Sequence, residues 1–238
     1  MSPEDVYEKL LKAYGRQGWW PLVSESEKCD GCGYHKGEYG LPETEGGMVE
    51  VMVGAVLAQN TSWKNAEKSL LLLKEKQALE RGAIEKIPIE KLALLIRSSG
   101  FFNQKAERIK HLFGMLSGRS LKGFFEKADV REKLLAVKGI GPETADSILL
   151  YAGKKPFFVA DSYARRIFSR LGLCKEKVEY EALKESVECG LPKEVEVYNE
   201  FHALLVEHGK RLCRKNPLCG RCPLKKGCKY AKKPVNQI

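Results

Sequence analysis

The four residues Gly139-Ile140-Gly141-Pro142 constrain this chain more than any other stretch. An apolar helical pattern beginning at Leu134 stops at these glycines. Pro142 then stands where a new helix starts, because proline at the first helical position gives up only an amide that lacks a partner anyway. Ala145, Ile148, Leu149 and Ala152 recur at the spacing of one face of that helix. The pattern therefore predicts two short helices joined by a tight Gly-x-Gly turn. Free amides at such a helix N-terminus suit a phosphate oxygen. Beyond Pro156 runs a short apolar stretch, Phe157-Phe158-Val159-Ala160. It ends at Asp161, a carboxylate at the mouth of the next helical pattern.

The last 26 residues carry the second strong signal. Cys213, Cys219, Cys222 and Cys228 form Cys-x5-Cys-x2-Cys-x5-Cys. Four thiolates in one compact segment suit tetrahedral iron or zinc, and the spacing differs from that of ferredoxins. Between Arg211 and Lys233 stand nine Lys or Arg residues and no acid, nearly the whole formal net charge of +10. That excess implies a polyanionic partner or an anionic membrane surface. A membrane span is not expected, since the best apolar run, Met48 to Ala58, contains Glu50 and is shorter than the about 20 residues a span needs. The Met-Ser-Pro-Glu-Asp start has no signal-peptide character. Eight cysteines in a cytoplasmic protein then read as metal ligands or free thiols rather than disulfides.

Residues 3 to 14 read as an amphipathic helix capped by Ser2, with Val6, Leu10, Leu11 and Tyr14 on one face. Trp19-Trp20-Pro21 reads either as a hydrophobic plug or as an aromatic wall for an extruded base. Residues 22 to 47 are polar and glycine-rich and contain Cys29, Cys32 and His35. These three fall short of the four ligands of a structural zinc site unless Cys174 or Cys189 joins them. Further helices are predicted over 48–58, 66–76, 89–96, 104–117 and 121–136.

Val137-Lys138-Gly139-Ile140-Gly141-Pro142-Glu143-Thr144-Ala145-Asp146, followed by Val159-Ala160-Asp161 and the four-cysteine loop, resembles the endonuclease III superfamily of helix-hairpin-helix DNA glycosylases. The resemblance covers about residues 45 to 230. It implies an all-α fold of two helical lobes flanking an active-site cleft: a six-helix barrel over 41–155 with the hairpin at 134–152, and a second domain of 1–40 plus 156–238. It further implies a [4Fe-4S] cluster on Cys213, Cys219, Cys222 and Cys228, in the loop 213–228, although the first interval here is one residue shorter than usual.

By the same resemblance Gln59, in Leu57-Ala58-Gln59-Asn60-Thr61, fills the gap left by a flipped nucleotide, and Phe101, in Gly100-Phe101-Phe102-Asn103-Gln104-Lys105-Ala106, acts as an apolar wedge. Gly139, Ile140 and Gly141 then hold DNA backbone, and Arg214 and Lys215 contact phosphates. Asp161 becomes the catalytic carboxylate. Bifunctional members carry a nucleophilic lysine where this chain has Glu143, and a carboxylate cannot form a Schiff base. Ala55 stands where the adenine-excising branch has its general-acid glutamate.

The expectation is a monofunctional base-excision enzyme without strand cleavage, in which Asp161 stabilises an oxocarbenium-like sugar. Its substrate would be double-stranded DNA bearing an alkylated purine, since such a base already carries positive charge and leaves readily. Glu143, the Gly-Phe-Phe-Asn-Gln-Lys stretch and Trp-Trp-Pro resemble the 3-methyladenine branch. Competing readings are an oxidised-pyrimidine glycosylase and lyase of endonuclease III type, a non-catalytic DNA-binding iron–sulfur protein, and an electron-transfer protein. The expected setting is a cytoplasmic, nucleoid-associated monomer.

Overall fold

The computed structural model of the chain describes residues 1–18, 20–24, 36–40, 42–116 and 118–232. Among these residues every regular element is helical. The chain divides into two compact units, one of Met1–Trp19 with Pro156–Ile238 and the other of Trp20–Lys155. Trp19, Cys29, Cys32 and His35, singled out from the sequence, lie outside the described residues.

In the first unit, helix α1 (Pro3–Tyr14) starts at a capping box. The Ser2 hydroxyl accepts from the Asp5 amide at 3.1 Å, and the Asp5 carboxylate accepts from the Ser2 amide at 2.7 Å. Helix α10 (Ser162–Leu171) follows Asp161 directly, α11 (Tyr180–Glu188) comes next, and α12 (Val195–Arg211) is the spine against which α1 and α10 pack. The apolar faces at 3.6-residue spacing meet there as rings. Phe201 packs edge-on to the half-buried Tyr7 at 5.5 Å and against Phe158 at 5.6 Å, and the fully buried Phe158 and Phe201 rings each contribute about 1.5–3 kcal/mol. The buried Glu200 carboxylate accepts the Gln17 and Gly18 amides at 2.8 and 3.2 Å, which fixes the exit from α1.

The second unit forms around α2 (Glu45–Leu57), whose residues Val49 to Leu57 are buried. Helices α3 (Trp63–Glu75), α6 (Phe102–Met115) and α9 (Pro142–Tyr151) pack on it, with the shorter α4 (Arg81–Lys86) and α5 (Ile89–Leu95) against α6 and α3. Within α2, Glu50 is the buried charged residue. Its carboxylate accepts the Val23 amide at 2.5 Å and the Ser24 amide at 2.9 Å, while Lys74 Nζ donates to the Val23 carbonyl at 2.7 Å. Burial pushes the Glu50 carboxyl above its ordinary value. The segment from Trp20 to Ser24 is thereby tied to this unit.

The single helix expected over 121–136 is two helices, α7 (Leu121–Phe125) and α8 (Val130–Leu135). Leu121, Phe124 and Phe125 share one buried face, but continuing that face would bring Ala128 and Glu132 inward. The apolar pattern restarts out of register at Val130 and Leu134, so the chain breaks between them. Asp146 of α9 is buried and accepts a forked pair from Arg131, Nε at 2.7 Å and a terminal nitrogen at 3.0 Å. This pair fixes α8 against α9 and so sets the geometry of the hairpin.

Candidate active site

The hairpin turn closes with the Ile140 amide donating to the Val137 carbonyl at 3.0 Å, and the Ile140 side chain is only 4% exposed. Ile140 therefore plugs the turn into the core, while Gly139 and Gly141 present exposed backbone. Gly139 has φ +88°, and a Cβ there would sit 2.4 Å from Arg108 Nε. Glycine is required twice over, for the left-handed backbone and for the close approach of Arg108. Glu143 is exposed in the first turn of α9, where a carboxylate complements the helix dipole.

Gln59 follows α2 and is held at this turn. Its Nε2 donates to the Gly139 carbonyl at 3.1 Å and to the Thr144 hydroxyl at 2.9 Å, and its Oε1 accepts from Arg108 at 2.5 Å. The next residue, Asn60, has φ 51°. Phe101 has φ 47°, immediately precedes α6 and is 64% exposed, an apolar ring placed outside the core on a strained backbone. Neighbouring Phe102 is half-buried and opens the helix, so the doublet splits between surface and core. A cavity of 340 Å³ adjoins the turn, lined by Gln104, Glu107, Arg108, His111, Lys138 and Gly139.

Trp20 is 7% exposed. It packs edge-on to Trp63 at 5.1 Å and tilted on Tyr151 at 5.1 Å, so its ring is occupied as core.

In the first unit, Asp161 is 8% exposed and caps α10, its Oδ1 accepting the Ala164 amide at 2.8 Å. Oδ2 lies 3.6 Å from His202 Nε2, presented by α12. The carboxylate is thus oriented by a helix terminus on one oxygen and flanked by an imidazole on the other. Lys210, in the last turn of α12, also feels Asp161. Desolvation lowers its ammonium pKa, opposed by Glu207 and Asp161.

The four C-terminal cysteines line one small cavity together with Leu212 and Pro217. Among the described residues no group of three or more His, Cys, Asp or Glu side chains is arranged to hold a metal ion. Three of the four sulfurs have polar neighbours. An Arg170 guanidinium nitrogen lies 3.4 Å from Cys213 Sγ, Cys228 Sγ donates to the Arg170 carbonyl at 3.4 Å, and His208 Nε2 lies 3.6 Å from Cys222 Sγ. The Arg170 and His208 nitrogens fit a thiolate-bound cluster, since N–H donors are what cluster sulfurs accept from, while the Cys228 thiol would first give up the proton it directs at the Arg170 carbonyl. Burial, with Arg166 nearby, pushes His208 down to about 4, while its Nδ1 pairs with Tyr14 at 2.8 Å. Arg170 also holds the Arg214 and Lys215 carbonyls at 2.6 and 3.1 Å, leaving both basic side chains exposed. Beside this loop a 610 Å³ cavity follows α10 from Ser162 past Arg165, Arg166 and Arg170 to Lys229.

Sequence reasoning missed His202, Arg108 and Thr144. Thr144 stands within the quoted hairpin motif but was given no role there, Arg108 and His202 stand outside it, and only the i, i+3, i+4 pattern of α12 (Tyr198, Phe201, His202, Leu205) hinted that His202 faces inward. No helix among the described residues is long and apolar enough to cross a membrane.

Comparison with known proteins places these features. Residues 53–193 match the family model for the HhH-GPD superfamily of base excision DNA repair proteins. MJ1434 of Methanocaldococcus jannaschii, named as a DNA repair glycosylase, is 42% identical over 94% of each chain. Endonuclease III of Thermotoga maritima is 34% identical over 76% of this chain and 82% of its own. Among solved structures, the 3-methyladenine DNA glycosylase MagIII of H. pylori, bound to 1,N6-ethenoadenine, matches with a TM-score of 0.62 at 34% identity, over 68% of this chain and 84% of that one. An endonuclease III–DNA complex shares the fold at a TM-score of 0.75 and 22% identity, over 98% of each chain. The chain belongs to the HhH-GPD superfamily of base excision DNA repair glycosylases.

Proposed function

We propose that this glycosylase hydrolyses the N-glycosidic bond of an alkylated purine of the 3-methyladenine type, in duplex DNA, without cutting the strand. One observation carries the reading: the hairpin position of the lyase nucleophile holds Glu143, while Asp161 is buried, capped into α10 and flanked by His202. The relation to MagIII supports the substrate class.

In this account Gln59 supplies the amide for the orphaned base. It already spends its donors and acceptor on Gly139, Thr144 and Arg108 and must exchange those partners on insertion. Phe101 wedges the base step. Gly139, Gly141, Arg214 and Lys215 hold backbone phosphates, with Ile140 serving the turn. Asp161 faces the developing positive charge on the sugar with the oxygen not used for capping. A carboxylate fixed beforehand needs no reorganisation as that charge appears. Trp20 supports the unit as core, and Trp19 remains the proposed aromatic of the base pocket.

Cys213, Cys219, Cys222 and Cys228 would hold a [4Fe-4S] cluster. When bound, it cross-links four points of the loop and fixes the backbone from which Arg214 and Lys215 project.

A second reading, an endonuclease III-type lyase acting on oxidised pyrimidines, is favoured by the 34% identity to endonuclease III of Thermotoga maritima. Its candidate amine is Lys210, in the last turn of α12 and within the field of Asp161. Borohydride reduction during turnover separates the two. The hydrolytic reading expects no covalent enzyme–DNA adduct, whereas an adduct that disappears in Lys210→Met would establish the lyase.

A further inference from the structure

Lys105 is 1% exposed, and neither family resemblance nor chemistry at Asp161 gives it a task. Its Nζ donates to the Leu57 carbonyl at 2.8 Å and to the Ser99 carbonyl at 2.6 Å. These two acceptors stand at the roots of two different loops. Leu57 is the last residue of α2, two before Gln59; Ser99 is two before Phe101. Each loop then passes through a left-handed non-glycine residue, Asn60 at φ 51° and Phe101 at φ 47°. Such backbone persists only where its surroundings over-determine it.

A lysine buried against carbonyls alone, with no carboxylate, is a costly way to hold a core together, since an apolar side chain of the same length would fill the space without desolvating a charge. The arrangement makes sense where two backbones must be held at a fixed separation.

We infer that Lys105 is a positioning residue that ties the Gln59 loop and the Phe101 loop into one unit, so that the gap-filling amide and the wedge enter duplex DNA together. The inference rests on the proposed roles of those two residues. The same helix carries the second anchor one turn on, where Arg108 holds Gln59 Oε1 and packs on Gly139.

The tie is sensitive to protonation. Burial, with Arg108 as its charged neighbour on α6, pushes Lys105 down to about 8; from the Leu57 and Ser99 sides it meets carbonyl oxygens. A neutral amine still donates, but the charge-assisted part of both bonds is lost. Between pH 8 and its ordinary 10.5 the unfolded chain holds more protons at this group, so its contribution to stability rises with pH. The tie weakens over the same window.

The probe is a duplex with 2-aminopurine beside a tetrahydrofuran abasic site, whose fluorescence rises when the step is opened. The full-length, cluster-loaded protein is expected to give that rise. Lys105→Met is expected to lose most of it while binding the duplex within about threefold of the parent, because phosphate contacts are untouched. It should also excise the base about 100-fold more slowly from duplex than the parent does, the cost of a misplacement of about 1 Å, with single-stranded excision near normal. Equal fluorescence from the two proteins, or equal losses on duplex and single strand, would overturn the tie. Should Lys105→Met not fold, Lys105→Gln takes its place and is judged by the same fluorescence and excision readings. Failure of the parent to bind duplex at all would instead overturn the DNA-processing reading on which the tie rests.

Discussion

Asp161 carries a structural role and a proposed chemical one on different oxygens, so substitution should separate them. Oδ1 caps α10 through the Ala164 amide. Asparagine caps as well as aspartate, so Asp161→Asn keeps that bond and gives up only the charge at the helix N-terminus, about 0.3–1 kcal/mol. Asp161→Ala loses the cap too, at about 1 kcal/mol more. For a chain of this size about 1 kcal/mol shifts the melting midpoint by about 2–4 °C. The rate should respond differently. Removing a preorganised electrostatic stabiliser costs on the order of 100- to 1000-fold, or about 2.7–4 kcal/mol. Single-turnover base release and thermal melting, measured on both variants at matched cluster content, should show Asn nearly as stable as the parent, Ala a few degrees lower, and both at least about 100-fold slow. An Asp161→Asn protein retaining more than about a tenth of the rate, some 1.4 kcal/mol or less of lost stabilisation, would refute the chemical role and leave Asp161 as a cap alone.

Replacing Gly139 with alanine strains a φ of +88° and drives a methyl into Arg108, which should cost about 1–2 kcal/mol in urea unfolding and release Gln59; an alanine variant unchanged in both stability and duplex affinity would count against the turn geometry. Trp20→Ala removes a ring held by Trp63 and Tyr151 and should destabilise by about 3–5 kcal/mol in the same assay, whereas a small loss of stability with a large loss of substrate binding would return Trp20 to the base pocket. The double variant Arg214→Ala with Lys215→Ala should weaken binding evenly across DNA sequences and reduce the slope of log affinity against log salt by about 2, read by fluorescence anisotropy; an unchanged slope would show that neither residue meets a phosphate.

Much of this was legible in the sequence because the signals were local. Ser2 before an apolar face announced α1, the Gly-x-Gly-Pro turn announced the hairpin, and Asp161 at the edge of an apolar run announced the cap of α10. The cysteine spacing announced a loop whose thiols face one cavity. What escaped depends on distant partners. Glu50 looked only like a charge interrupting an apolar run; its role is to receive the Val23 and Ser24 amides, from 27 and 26 residues away. That capture ties the segment after Trp20 to the larger unit, a boundary no local pattern marks. The break between α7 and α8 was hidden because charge and apolarity alternate plausibly through 126–129, and only the register of Val130 and Leu134 exposes it. His202 and Lys105 gave no sign of their partners for the same reason. A buried polar side chain on a helix face has no sequence signature apart from the partner it meets.

Base release from duplex DNA carrying either 3-methyladenine or an oxidised pyrimidine, analysed chromatographically with strand integrity and without heat or alkali, decides between hydrolysis at Asp161 and a lyase. Hydrolysis at Asp161 gives free 3-methyladenine, intact strands, and loss of the activity in Asp161→Asn. Release of oxidised pyrimidine with nicked strands would contradict it, and would move the chemistry from a carboxylate to an amine.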